Sequence, residues 1–214
     1  MSRIVTVVDY GVGNLLSVAR AFEHCDAKVE FADTPEQIAR ARLLVLPGVG
    51  AFANGMRELR GRSLDRPVID FAMSGQPLLG ICLGMQMLLS ASEEFGEHAG
   101  LGIVPGRVRA IPSVGTDGKP HKIPHIGWNA LELPHGRTTW DKTILQDISP
   151  GTPVYFVHSY TAVPDASEHR LADCYYDGQL ISAALQAGKV FGCQFHPEKS
   201  GEIGLRLLNT FLRL

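Results

Sequence analysis

No stretch of this chain approaches the ~20 apolar residues that a helix needs to cross a bilayer, and neither sign of charge dominates it. Twenty lysines and arginines stand against 22 aspartates and glutamates, for a formal charge of −2. Without a basic stripe, nucleic acid has nothing to neutralise its phosphates, so neither membrane nor nucleic acid is an expected partner. The four cysteines, Cys25, Cys82, Cys174 and Cys193, include no close pair and no Cys-x-x-Cys, which argues against a disulfide framework and against structural zinc. Met1-Ser2-Arg3 does not open a secretory signal, and the expected compartment is a reducing cytoplasm. Internal repeats and low-complexity tracts are also missing. What remains is 214 residues with 45% apolar content, enough for one large core and too few for a second, so a single domain over 1–214 is expected.

The first half alternates. Ile4 to Val8 reads as a near-continuous apolar strand, Leu15 to His24 as a helix, Ala27 to Phe31 as a strand, Pro35 to Ala41 as a short helix and Leu43 to Leu46 as a buried strand. Such β-α-β order predicts a three-layer α/β fold: a central, mostly parallel sheet with helices on both faces and a crevice outside the carboxyl ends of the strands. From Arg107 to Leu133, Pro112, Gly115, Gly118 and Pro120 predict a hairpin or exposed loop with turns rather than helices. Further strands are expected over Pro153 to Val157, Gln179 to Ala184 and Val190 to Phe195. The spacing of Ile203, Leu207, Leu208 and Phe211 predicts a closing amphipathic helix, with Ser200 as its N-cap.

Gly80-Ile81-Cys82-Leu83-Gly84 places a cysteine between two glycines. The apolar strand Pro77-Leu78-Leu79 leads in, and Met85-Gln86-Met87-Leu88-Leu89 leads out as a helix. Small residues permit the sharp strand-to-helix turn on which hydrolases mount a nucleophile. A thiol ionises near ~8.5 when unperturbed, and a helix amino terminus with a histidine beside it favours thiolate at neutral pH. Taken alone, Cys82 is equally well a small buried apolar residue. The other end of the chain tips the balance: His196-Pro197-Glu198 follows the last predicted strand. In extended backbone residues i and i+2 face the same side, and Pro197 keeps His196 out of helical geometry. Cys82, His196 and Glu198 thus have the types and the roles of nucleophile, base and orienting acid.

With G-x-C-x-G-x-Q ending at Gln86 and His-Pro-Glu at 196–198, the chain resembles the class I glutamine amidotransferases, whose core is flavodoxin-like, over essentially its whole length. The resemblance implies hydrolysis of L-glutamine without metal or cofactor. It also implies that Pro47-Gly48-Val49-Gly50, by itself an ordinary turn, lies beside the nucleophile. The oxyanion hole would then be formed by the backbone N–H groups of Val49 and Leu83, with Gly48 and Gly50 flanking the substrate and Gly48 letting its peptide rotate. Gln86, one helical turn after Cys82, would meet the amino-acid end of glutamine. Glu94, expected two turns farther along the same helix face, would meet the α-amino group; its bland alternative is a solvent-facing acid beside Glu93. Ser159 and Tyr160 would hold the substrate carboxylate through backbone groups. His158, beside a strand, is read as structural rather than as the base.

Asp9-Tyr10-Gly11-Val12-Gly13-Asn14-Leu15, Pro124-His125-Ile126-Gly127-Trp128-Asn129 and His196-Pro197-Glu198-Lys199-Ser200 narrow the resemblance to the glutaminase subunits of imidazole glycerol phosphate synthases. Gly11-Val12-Gly13 lacks the third glycine of a dinucleotide loop. The narrower resemblance implies a heterodimer with a (β/α)8 cyclase subunit, and Asn14, Trp128, Asn129 and Lys199 are the candidates for the docking face. Other readings stay open: a glutaminase for another acceptor, a γ-glutamyl hydrolase or cysteine peptidase, and a non-catalytic interaction subunit.

Overall fold

Strands with no polar face must be covered on both sides, and the chain begins with several of them. The computed structural model describes residues 3–214, so the reading of Met1-Ser2-Arg3 falls partly outside the described residues. Strand β1 (Arg3–Val8), helix α1 (Leu15–His24), strand β2 (Ala27–Ala32), helix α2 (Pro35–Arg40) and strand β3 (Leu44–Leu46) follow in the predicted order. Helices α3 (Phe52–Gly61) and α4 (Asp65–Met73), absent from the sequence reading, lead to strand β4 (Leu78–Ile81) and the short helix α5 (Leu83–Met87). Then come β5 (Leu89–Ser92), β6 (His98–Ala99), β7 (Val104–Ala110), β8 (His125–Ala130), β9 (Pro153–His158), β10 (Tyr160–Pro164), β11 (Arg170–Tyr176), β12 (Gln179–Ala187), β13 (Val190–Cys193) and α6 (Gly201–Phe211).

Seven strands form the main sheet in the order β11-β12-β13-β4-β3-β1-β2. From β2 to β13 the neighbours run parallel, and β12 and β11 close the far edge antiparallel. Alternating side chains feed two cores. Val5, Val7, Val45, Leu79 and Ile81 pack with Val18 and Phe22 of α1 and Leu207, Leu208 and Phe211 of α6. Val8, Leu44, Leu46 and Leu78 pack with Ile38 of α2, Met56 and Leu59 of α3, Val68 of α4 and Met85 of α5. The result is the three-layer, mostly parallel α/β fold. Across the first core the Phe22 and Phe211 rings lie 6.4 Å apart at their centroids; truncating a buried ring of this kind costs ~3–5 kcal/mol.

The helix after Cys82 is shorter than predicted. The carbonyls that would carry it onward are taken by other donors: Met87 accepts from Leu101 N–H, Leu88 from Val104 and Leu89 from Gly102. The chain therefore turns into β5, which runs parallel to β7 within a second sheet ordered β10-β7-β5-β6. Glu94 follows that strand and does not lie on a helix face. Between Arg107 and Leu133 the chain forms the rest of β7, a turn closed by a Val114–Pro120 bridge, and β8, which pairs antiparallel with β9. Ser200 occupies the N-cap position of α6 without capping it. Its hydroxyl instead donates to the His196 carbonyl at 2.7 Å and accepts from Tyr155 N–H at 3.0 Å. Among the described residues no helix is long and apolar enough to cross a membrane.

Because β3, β4 and β13 are parallel, Pro47, Cys82 and the Gln194–His196 segment all emerge at the same edge of the sheet.

Candidate active site

Cys82 stands at φ +52° and ψ −110°, a region that side chains rarely occupy and that recurs at functional turns. Its neighbours enforce the conformation. A Cβ on Gly84 would collide with the Leu46 carbonyl oxygen, and one on Gly80 would lie 2.7 Å from Met85 N. Strand β4 and helix α5 can meet this closely only through glycine. Cys82 N–H donates to the Cys193 carbonyl at 2.7 Å, and the Cys82 carbonyl accepts the first turn's bond from Gln86 N–H at 3.2 Å.

His196 reaches the site from the end of β13, in extended backbone, with its N–H on the Tyr155 carbonyl at 3.0 Å. Pro197–Lys199 then form a single 3-10 turn rather than the extended segment predicted. That turn still returns Glu198 to the imidazole: Nδ1 lies 2.7 Å from Glu198 Oε1, and both side chains are buried. Nε2 is buried and makes no hydrogen bond among the described residues. Burial works to lower the His196 pKa, but the adjacent Cys82 thiol and the Glu198 carboxylate outweigh it and raise it to about 9. A histidine that holds a proton between a thiol and a carboxylate is equipped for acid-base work on a bound substrate.

The sequence as a whole agrees with this geometry, since the family model for "Glutamine amidotransferase class-I" matches residues 6–213. The chain belongs to the class-I glutamine amidotransferase family. A relative from Legionella pneumophila (strain Lens), "Imidazole glycerol phosphate synthase subunit HisH 1", is 55% identical over 98% of this chain and 99% of its own length. The HisH subunit of Geobacillus sp. (strain WCH70) is 44% identical over 97% of this chain and 95% of its own. Among solved structures, "Structure of PurLQS from Thermotoga maritima" superposes with a TM-score of 0.70 at 17% identity, covering 100% of this chain and 99% of that one; it shares the fold.

The site of this amidotransferase opens into a cavity of about 580 Å³ lined by Val49, Gly50, Cys82, Leu83, Gln86, Glu94, Ser159, Tyr160, His196 and Lys199, among others. Gly48 is the exception to the expected wall. It lies buried beneath the cavity, where a Cβ would come within 2.6 Å of Tyr10 Oη and 2.9 Å of Leu83 Cβ. The oxyanion hole also departs from expectation. Leu83 N–H donates to the Gly48 carbonyl at 3.3 Å, and in a planar trans peptide the Val49 N–H points opposite to that carbonyl. The two expected donors therefore do not converge. Tyr10, in the segment read only as a marker of relationship, donates its buried hydroxyl to the Pro47 carbonyl at 2.7 Å and fixes the loop one peptide upstream.

Glu94 is buried despite the failed helical argument, and its Oε2 accepts from Phe52 N–H at 2.5 Å. Glu93 faces out and pairs with Arg107 and Arg109. The Gln86 amide points inward, donating to the Tyr160 carbonyl at 3.1 Å and to Gln194 Oε1 at 2.9 Å. The Ser159 carbonyl accepts from Ile111 N–H, so both carbonyls of that wall are paired. His158 is buried, its Nδ1 2.8 Å from the Tyr160 carbonyl and its Nε2 3.0 Å from His125 Nδ1. Burial, chiefly, lowers its pKa to about 3 and keeps it neutral.

Of the docking candidates, Trp128 is 58% exposed and packs edge-on against Tyr155, over whose ring Lys199 Nζ also sits. Asn14 is exposed. Asn129 is half-buried and engaged within its own chain: its Nδ2 donates to the Tyr175 carbonyl at 2.8 Å and its Oδ1 accepts from Ala130 N–H. Phe95, 86% exposed at the cavity mouth, and Gln194, within 3.7 Å of Cys82 Sγ, escaped the sequence reading. A Gln two residues before His196 carries no signal until the fold brings it to the thiol.

Proposed function

We propose that this chain is the cytoplasmic glutaminase subunit of an imidazole glycerol phosphate synthase. It hydrolyses L-glutamine and passes ammonia to a (β/α)8 cyclase subunit with which it forms a heterodimer. The observation that carries the reading is the strained elbow at Cys82, facing a His196 whose Nδ1 is on Glu198 at 2.7 Å and whose Nε2 is unpartnered. Two of the curated relatives supply the pathway: both are named as HisH subunits of that synthase.

With His196 protonated at Nε2, the Cys82 thiolate attacks the side-chain amide carbon of glutamine. The tetrahedral oxyanion accepts from Leu83 N–H and, after the Gly48–Val49 peptide turns over, from Val49 N–H. Collapse breaks the C–N bond as His196 returns its proton to the departing nitrogen, which leaves as ammonia. Water then loses a proton to His196 and adds to the γ-glutamyl thioester, expelling the Cys82 thiolate and releasing glutamate. Glu198 holds the imidazole throughout. Gln86 and Glu94 border the amino-acid end of the substrate, and the Ser159–Tyr160 backbone borders its carboxylate.

The occupied Leu83 donor supports a gate. While the Gly48 carbonyl sits on it, attack has one oxyanion donor too few, and loss of such a donor lowers turnover by ~100- to 1,000-fold. Docking of the cyclase beside Trp128, Lys199 and Asn14 is the event that shifts the peptide to its active orientation. In the cyclase, the ammonia converts N'-[(5-phosphoribulosyl)formimino]-5-aminoimidazole-4-carboxamide ribonucleotide to imidazole glycerol phosphate and 5-aminoimidazole-4-carboxamide ribonucleotide, in histidine biosynthesis.

The deciding experiment measures glutamate release by the chain alone, with the cyclase, and with the cyclase plus its nucleotide substrate. The rate should rise at each addition. Cys82→Ala should abolish glutamine-dependent synthesis by the pair and leave ammonia-dependent synthesis largely intact. A rate indifferent to the cyclase would keep the glutaminase and remove the pathway; loss of both syntheses in Cys82→Ala would end the division of labour.

A further inference from the structure

The polar groups behind the cavity form a chain whose direction is fixed at every link. Its root is the Tyr160 carbonyl, which can only accept. Gln86 therefore presents its NH₂ to that oxygen at 3.1 Å, and the same nitrogen donates to Gln194 at 2.9 Å. Gln194 must in turn present Oε1 to Gln86, because an amide has one accepting and one donating end. Its NH₂ is thereby turned to Cys82 Sγ, 3.7 Å away. Gln194 is fully buried, and this is the hydrogen bond that its Nε2 makes among the described residues.

A second branch secures the same root. His158 donates from Nδ1 to the Tyr160 carbonyl at 2.8 Å, so its Nε2 accepts from His125 Nδ1 at 3.0 Å, and His125 Nε2 faces Asn129 Nδ2 at 3.4 Å. With the root held from two sides, the Gln194 amide cannot flip without facing like groups together. Helix α5 has five residues, too short for a full macrodipole at Cys82. A directed donor on the sulfur supplies what a longer helix would otherwise have contributed.

We propose that Gln194 is a positioning residue for the nucleophile: its amide N–H, aimed by Gln86 and the Tyr160 carbonyl, stabilises the Cys82 thiolate and holds the sulfur toward the substrate carbonyl. This rests on the glutaminase reading for its purpose, but not for its test. A hydrogen bond to an anion is stronger than one to the neutral thiol, so Gln194 acts on the proton equilibrium of the sulfur. A residue that merely fills space would not.

The test uses the full chain without glutamine. Alkylation of Cys82 by iodoacetamide, quantified on the Cys82 peptide by mass spectrometry, is followed against pH. In Gln194→Met, which keeps length and removes the donor, the midpoint should move toward alkaline pH by about one unit. Gln86→Leu should move it in the same direction by less, and adding it to Gln194→Met should move it no further. A Gln194→Met profile that coincides with wild type in a folded protein overturns the proposal. Should that variant not fold, the wild-type side-chain amide resonance of Gln194 decides: it should shift when Cys82 ionises and when Cys82 is replaced by Ala, and indifference to both overturns the proposal. A chain with the displaced alkylation profile that releases no glutamate from glutamine, even with the cyclase and its nucleotide, would uphold Gln194 and remove the glutaminase reading.

Discussion

At Cys82 the backbone has a positive φ that neither its side chain nor its helix favours, and it persists because Gly80 and Gly84 bring strand and helix too close for any other path. Strain of this kind amounts to ~1–3 kcal/mol, and it separates two substitutions that look equivalent for activity. Cys82→Ala keeps the Cβ and the strain, whereas Cys82→Gly removes both. Both should lose glutaminase activity, yet the Gly variant should be more stable than the Ala variant by ~1 kcal/mol, after allowing for the extra freedom that glycine gives the unfolded chain. Urea unfolding of the two proteins measures the difference. A Gly variant no more stable than the Ala variant would mean that the elbow carries no strain. The same scale explains why Glu94 is buried and Glu93 is not: only Glu94 meets a backbone donor, Phe52 N–H, at the start of α3.

At the scale of elements, the loop after β3 is held by a buried hydroxyl beside the Leu83 N–H on the Gly48 carbonyl. Tyr10 reaches from the end of β1 to the Pro47 carbonyl at 2.7 Å, one residue before the peptide whose rotation the proposed mechanism requires. Tyr10→Phe removes that bond and leaves a buried carbonyl unpaired, which should destabilise the fold by ~1–3 kcal/mol. The loosened loop should also raise cyclase-independent glutamate release and shrink the stimulation by the cyclase. A variant with lower stability but an unchanged stimulation ratio would take Tyr10 out of the gate. Much of the frame around this loop was legible in the sequence, because β1, β3 and β4 are near-continuous apolar runs and the elbow announces itself by glycines on either side of a cysteine. Strand β7 was not. Its buried Val104, Gly106 and Val108 alternate with outward Pro105, Arg107 and Arg109, but Pro105-Gly106 reads locally as a turn. The end of α5 was equally hidden, since it is decided by donors from Leu101, Gly102 and Val104. The Gly48 carbonyl on Leu83 and the Gln194 amide on Cys82 also depend on contacts between distant residues, which no local periodicity encodes.

Over the whole molecule, three histidines bear on how stability responds to pH between about 4 and 8, and they pull in opposite directions. Burial, chiefly, lowers His125 to about 4 and His158 to about 3, while the unfolded chain protonates both near ~6.5. As pH falls from ~6.5 toward 4 the unfolded state therefore binds more protons, and stability drops by up to ~1.4 kcal/mol per pH unit for each histidine. His196 behaves conversely. With its pKa raised to about 9, against the opposition of burial, by Cys82 and Glu198, the fold holds a proton that the unfolded chain has lost above ~6.5. That contribution is complete below ~6.5 and disappears as pH rises through about 9. Stability should therefore peak near neutrality and fall on both sides. Urea unfolding between pH 4.5 and 8 tests this, below the range in which the thiols of Cys25, Cys174 and Cys193, raised chiefly by burial, add an alkaline loss of their own; His196→Asn is the informative variant, and it should flatten the limb above ~6.5 and leave the acid limb in place. An alkaline limb that survives in His196→Asn would show that the proton lies elsewhere. The proton responsible for that limb is also the one the proposed mechanism delivers to departing ammonia, so the variant that flattens the stability curve should also be the one that cannot release glutamate.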